Sequence, residues 1–99
     1  MNEPSYLNKL PAWNPESAKI IASEEKVQLD EKHLEILEVA RQFYDHFGFS
    51  PSMRPLCKYV AEHLDLNKGR SIYLLQLFPG SPAKKIAKIA GLPAPKNCL

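Results

Sequence analysis

A chain of 99 residues, 44% hydrophobic and 24% charged with a net charge of +2, suits one small domain with one modest core and leaves no room for a second. No apolar stretch approaches the ~18 to 20 residues that span a bilayer, and Met1-Asn2-Glu3-Pro4-Ser5 lacks the basic-then-apolar layout of a secretion signal, so the expected compartment is the cytoplasm. In that reducing setting Cys57 and Cys98, too few for a disulfide scaffold, remain thiols.

The chain is a series of helix signals separated by proline and glycine, with no alternating apolar run that requires a strand, which predicts an all-α bundle of about five helices. Residues 1–12 are poorly patterned and are expected to be loose or draped over the body. Trp13 resembles an anchor just before a first helix, which Asn14 caps and Pro15 opens and which runs to about Glu25 with Ala18, Ile21 and Ala22 inward. Asp30 caps the second helix, to about Phe47, whose stripe is Leu34, Leu37, Ala40, Tyr44 and Phe47, joined by Ile36, Val39 and Phe43; Gly48 ends it.

Ser50-Pro51 reads as the start of a third helix with Met53, Leu56, Cys57, Val60, Ala61 and Leu64 inward. Pro55 falls in its first turns, where a missing N–H costs least. A fourth helix is expected over about Lys68 to Leu77, burying Ile72, Tyr73, Leu74 or Leu75, and Leu77 before Pro79-Gly80 breaks it. The fifth has Ser81 as its cap, Pro82 in its first turn, Ile86, Ile89 and Ala90 inward, its lysines outward and Gly91 as its stop.

Chemistry is sparse. His33, His46 and His63 show no zinc-binding spacing, and no phosphate-cradling glycine loop, serine triad or carboxylate pair can be placed, so neither metal nor cofactor is expected. Cys57 has Val60, Ala61 and Leu64 at i+3, i+4 and i+7 and reads as an inert core thiol. Cys98 is different: it follows Pro93 and Pro95 on a short arm, residues 92–99, with only Pro95 and Ala94 at i−3 and i−4 and no apolar partner there to pack with. Seven steps from Gly91 at the polyproline rise of ~3.1 Å per residue carry its sulfur roughly 20 Å from the body, far enough to enter another protein's active site. The bland alternative is a chain end that happens to hold a cysteine.

Charge is segregated. Residues 1–65 carry all 11 acids against 7 bases, whereas residues 66–99 carry 6 bases and no acid. Arg70, Lys84, Lys85, Lys88 and Lys96, with Lys68, would draw an acidic protein surface, a nucleic acid or an anionic thiol derivative toward the arm, or simply form a solvated helix face.

The run Tyr73-Leu74-Leu75-Gln76-Leu77-Phe78-Pro79-Gly80-Ser81-Pro82-Ala83-Lys84, then Lys88-Ile89-Ala90-Gly91-Leu92-Pro93-Ala94-Pro95 and Cys98 next to the end, resembles the C-terminal signature of the TusE/DsrC family. Phe43-Tyr44, Ser50-Pro51, Arg54, Lys58 and, loosely, Trp13 extend the likeness. The resemblance implies a small helical sulfur-relay protein, a persulfide-carrying sulfurtransferase rather than an autonomous catalyst, with Cys98 as carrier on a mobile arm. Arg70, Lys84, Lys85, Lys88 and Lys96 become candidate docking residues. The DsrC type, which works with dissimilatory sulfite reductase, has a second cysteine where this chain has Ala87, so the likeness favours the TusE type. That type implies a TusBCD-like donor complex, an MnmA-like thiouridylase as acceptor, and 2-thiolation of the tRNA wobble uridine. Ser81 for the usual glycine, Ala94 for a common lysine, and an N-terminus too short for the family's β-hairpin are departures.

Two rivals come from other classes. The helices around Gly48-Phe49-Ser50-Pro51 resemble a helix-turn-helix connection, but the second of them offers only Arg54 and Lys58 beside Glu62, which disfavours direct nucleic-acid binding. A structural adaptor whose tail merely threads into a partner requires no sulfur on Cys98 at all.

Overall fold

The computed structural model describes residues 5–96, and among them are five α-helices, one 3-10 turn and no strand. The helices are α1 (Pro15–Glu24), α2 (Glu31–Phe47), α3 (Met53–His63), α4 (Ser71–Leu77) and α5 (Pro82–Ile89). The all-α expectation holds, and the helix starts with the clearest caps fall where those caps put them. Asn14 accepts from the Ser17 amide at 2.8 Å, and Ser17 Oγ accepts from the Asn14 amide in return. Asp30 does the same for α2, taking the Lys32 and His33 amides. Each such cap stabilises its helix by about 1 kcal/mol, because it satisfies N–H groups that have no partner inside the helix.

A helix of only eight residues is the centre of the bundle. α5 packs against α1, α2, α3 and α4, while α2 also carries α3 and the 3-10 turn. Ala83, Ile86, Ala87 and Ile89 of α5 are buried, and the two alanines allow neighbouring helices to approach closely. Around them Ile36, Leu37, Leu56, Val60, Leu74 and Phe78 are fully buried, each contributing roughly 1.5 to 3 kcal/mol by leaving water. His33 joins the ends of two helices: Nδ1 lies 3.0 Å from Asp30 Oδ1, Nε2 lies 2.9 Å from the Leu77 carbonyl, and the ring meets Phe78 edge-on.

The structure corrects the expectations in the second half of the chain. α3 starts at Met53, not at Ser50-Pro51, because Ser50 and Pro51 are both buried and the Ser50 hydroxyl serves another segment. α4 begins at Ser71 rather than Lys68, since Asp65 takes the Lys68 amide at 2.9 Å and closes a separate turn. In that turn Gly69 lies so close to α3 that a Cβ would sit 2.6 Å from Ala61 Cβ and 2.7 Å from the Cys57 carbonyl oxygen. Of the Leu74-or-Leu75 alternatives it is Leu74 that α4 buries, and Leu75 is 42% exposed; Ile72, expected inside, is 57% exposed, because a helix of seven residues offers one narrow face to its neighbours. Phe47 is exposed as well. Ser81 makes no capping hydrogen bond, leaving Pro82 as the device that opens α5.

The described part of the segment expected to be loose or draped contains the 3-10 turn Tyr6–Lys9, which lies on α2. Ser5 Oγ donates to Asp45 Oδ1, and the Leu7 amide donates to the same carboxylate at 3.4 Å. These bonds hold the Asp45 carboxyl below its ordinary range, the Ser5 hydroxyl being the larger influence.

The root of the C-terminal segment as a candidate site

The end of α5 is closed by a Schellman turn. The Gly91 amide reaches the Lys88 carbonyl at 3.2 Å, and the Leu92 amide reaches the Ala87 carbonyl at 2.8 Å. Gly91 has φ +75°, a conformation an L side chain resists, and a Cβ there would lie 2.9 Å from Trp13 Cδ1 and 3.3 Å from Arg41 Nη1. The two carbonyls left over by the turn are taken by side chains from elsewhere. Trp13 Nε1–H donates to the Ile89 carbonyl at 2.9 Å, and Arg41 Nη1–H donates to the Ala90 carbonyl at 2.6 Å. The Arg41 guanidinium lies 4.6 Å from the centroid of the Trp13 ring, a cation–π contact.

Arg41 forms no ion pair among the described residues, and its positive charge meets the negative end of the α5 dipole instead. Burial draws its pKa down, opposed by the more distant Glu38 and Asp45 carboxylates, and the group stays charged. Beyond the turn the chain remains against the body. Leu92 and Pro95 are buried, and Ser50, 5% exposed, donates its hydroxyl to the Pro93 carbonyl. The loop after α2 delivers that hydroxyl: Phe49 packs edge-on against Phe43 at 5.4 Å, which puts the next residue, Ser50, on the inner side.

Cys98, the sequence's candidate carrier, lies outside the described residues, and the segment leading to it is rooted at this site. The reach counted from Gly91 is therefore shortened, since residues 92–95 lie along the body. Lys84, Lys85 and Lys88 come together with Ser81 and Glu25 around an open hollow of about 320 Å³. Lys88 is not a free cation there: it pairs with Glu25 at 2.8 Å, and its hydrogen bond pulls the Glu25 carboxyl below its ordinary value. Lys84 is exposed and Lys85 half-buried, whereas Arg70 stands exposed at the start of α4 and Lys96 exposed on the terminal segment, both outside that hollow. Cys57 is half-buried against the core rather than fully inside it, and burial pushes its thiol pKa up.

Sequence reasoning marked Trp13 as an anchor but missed Arg41 and Ser50. An arginine flanked by Ala40 and Tyr44 of the apolar stripe was the available signal for the first; Ser50 belonged to the family likeness, but Ser-Pro before a helix reads as a cap and gives no hint of a distant contact.

These features define an all-α protein whose last helix is pinned at its C-terminal end and launches a cysteine-bearing segment. The chain belongs to the family described as DsrC like protein, whose profile matches residues 1–99. It is 46% identical over 94 residues to Sulfurtransferase TusE of Buchnera aphidicola subsp. Schizaphis graminum, covering 95% of this chain and 82% of that one. It is 44% identical over 94 residues to a Sulfurtransferase TusE homolog of Haemophilus influenzae, covering 95% and 86%. Among solved structures, Allochromatium vinosum DsrC matches with TM-score 0.81 at 38% identity over 99% of this chain and 88% of that one. The oxidized gamma-subunit of the dissimilatory sulfite reductase (DsrC) from Archaeoglobus fulgidus matches with TM-score 0.73 at 30% identity, covering 88% and 80%.

Proposed function

We propose that this protein is a sulfur carrier that takes a sulfane sulfur onto Cys98 as a persulfide and passes it to an acceptor. The observation that carries the reading is membership of the DsrC-like family, with relatives named sulfurtransferase, in a chain whose Cys98 follows a pinned last helix. In the first step the Cys98 thiolate attacks the outer sulfur of a donor persulfide. The Cys98 S–S bond forms, the donor S–S bond breaks, and the donor leaves as a thiolate that takes up a proton. In the second step an acceptor thiolate attacks the outer sulfur of Cys98–S–SH, and Cys98 is restored. Sulfane sulfur moves without net oxidation, so no external oxidant is required.

Cys57 is a poor nucleophile, because burial raises its pKa and shields it. Position 87 is a buried alanine in α5, so it offers no second thiol to close a disulfide with Cys98, which favours a TusE-type relay over the sulfite-reductase cycle. The reading extends to a TusBCD-like donor, an MnmA-like thiouridylase, wobble-uridine 2-thiolation and a cytoplasmic setting. Arg70, Lys84, Lys85 and Lys96, with Lys88 tied to Glu25, act in it as rim charges that speed docking on acidic partners more than they add affinity.

The test is intact mass spectrometry after incubation with a persulfide-loaded cysteine desulfurase relay, followed by peptide mapping. The expected result is a reducible gain of one sulfur on Cys98 that disappears in Cys98→Ser. An adduct on Cys57 alone, or loading retained in Cys98→Ser, refutes the carrier role; no adduct at all favours the adaptor.

A further inference from the structure

We propose that Arg41 and Ser50 are positioning residues for sulfur transfer, fixing the root from which Cys98 is presented to a protein donor. The inference rests on the carrier reading. Helix capping accounts for the Arg41 bond to the Ala90 carbonyl but not for the Ser50 bond, which lies beyond the helix. The Schellman turn satisfies the Ala87 and Lys88 carbonyls, and Trp13 satisfies that of Ile89. Arg41 holds a half-buried charge at the Ala90 carbonyl, one residue before Gly91, and Ser50 holds a buried hydroxyl at the Pro93 carbonyl, two residues after it.

Contacts on both sides of the turn fix the direction of the chain as well as its position. Pro93 and Pro95 then stiffen the spacer, carrying that direction toward Lys96 instead of dissipating it. A reactive group on a fixed, stiff root meets a docked partner's thiol more often than one on a freely hinged tail.

The variants are Ser50→Ala and Arg41→Met, with Arg41→Lys as the conservative partner that keeps a donor for the Ala90 carbonyl. In the wild type the Ala94 and Lys96 amides should have backbone ¹⁵N order parameters near ~0.85; Ser50→Ala and Arg41→Met should lower them below ~0.6 with the helices unchanged. With a persulfide-loaded protein donor, kcat for sulfur arrival at Cys98 should fall about fivefold at constant KM, the factor carried by one net hydrogen bond. With sodium tetrasulfide, a small donor that needs no presentation, loading should keep its rate, and Arg41→Lys should recover part of kcat. Unchanged order parameters, an unchanged kcat, or an equal loss with both donors overturns the proposal. If Arg41→Met does not fold, Ser50→Ala decides. If wild-type Cys98 takes sulfur from neither donor, the carrier reading fails, and the order parameters still decide whether the root is held by these two residues.

Discussion

Gly91→Ala tests the α5 terminus most directly, because two separate costs can be worked out for it. An alanine at φ +75° sits in the left-handed region at a cost of about 1 kcal/mol. Its Cβ also arrives 2.9 Å from Trp13 Cδ1, and the indole has little freedom to yield: its N–H is bound to the Ile89 carbonyl and its face is covered by Arg41. Overpacking against such a neighbour adds about 1 to 2 kcal/mol. The sum, about 2 to 3 kcal/mol, lowers the urea midpoint by about 1.3 to 2 M for a slope of about 1.5 kcal/mol/M. Equilibrium urea unfolding followed by circular dichroism measures it. In a Trp13→Ala background the collision is gone, and only the backbone cost of about 1 kcal/mol should remain. A loss below about 0.5 kcal/mol in the native background, or the same loss with and without Trp13, would refute the reasoning.

Core and surface apolar residues should separate sharply: Ile36→Ala is expected to cost about 2 to 5 kcal/mol, whereas Ile72→Ala should stay within about 0.5 kcal/mol by the same denaturation assay. The Glu25 carboxyl, depressed mainly by its hydrogen bond from Lys88, should titrate below its ordinary value near 4.5 in the folded protein, and Lys88→Ala should return it toward that value by carboxyl NMR. Because the folded pKa is the lower one, the Glu25 contribution to stability is complete above the unfolded pKa and fades as pH falls through the folded one, so wild type should lose more stability on acidification than Lys88→Ala. With iodoacetamide near pH 8, Cys98 should be alkylated well before Cys57, because burial disfavours the Cys57 thiolate and shields it; peptide mapping of a time course checks the order.

Local chemistry made much of this fold readable before any contact was known. Asn14, Asp30 and Pro82 mark helix starts through groups within three residues of themselves, and Gly91 marks an end through its own backbone. What could not be read is tertiary. Nothing near Ser50 reveals a carbonyl 43 positions away, and nothing near Arg41 reveals one 49 positions away. Ile72 and Leu75 have helical spacing like any core pair, yet α4 is too short to present them inward as well as Leu74. Cys98 was conspicuous because nothing local explained it, and the residues that seat its segment were inconspicuous because they pass for ordinary members of a helix and a turn.

The packing of α1 on α5 also sets a timetable for the newborn chain. Trp13 reaches its partner, Ile89, across 76 positions, and α1 buries Ala18 and Ala22 in a core that α5 completes. At a synthesis rate of about 5 to 20 residues per second, the first helix waits roughly 3 to 12 s between its own completion and the making of Ile86. During that interval its apolar face has no permanent cover. The acids Glu16, Glu24 and Glu25, with Lys19 between them, keep that waiting helix charged and soluble. One of them, Glu25, is later claimed by Lys88 when the last helix arrives.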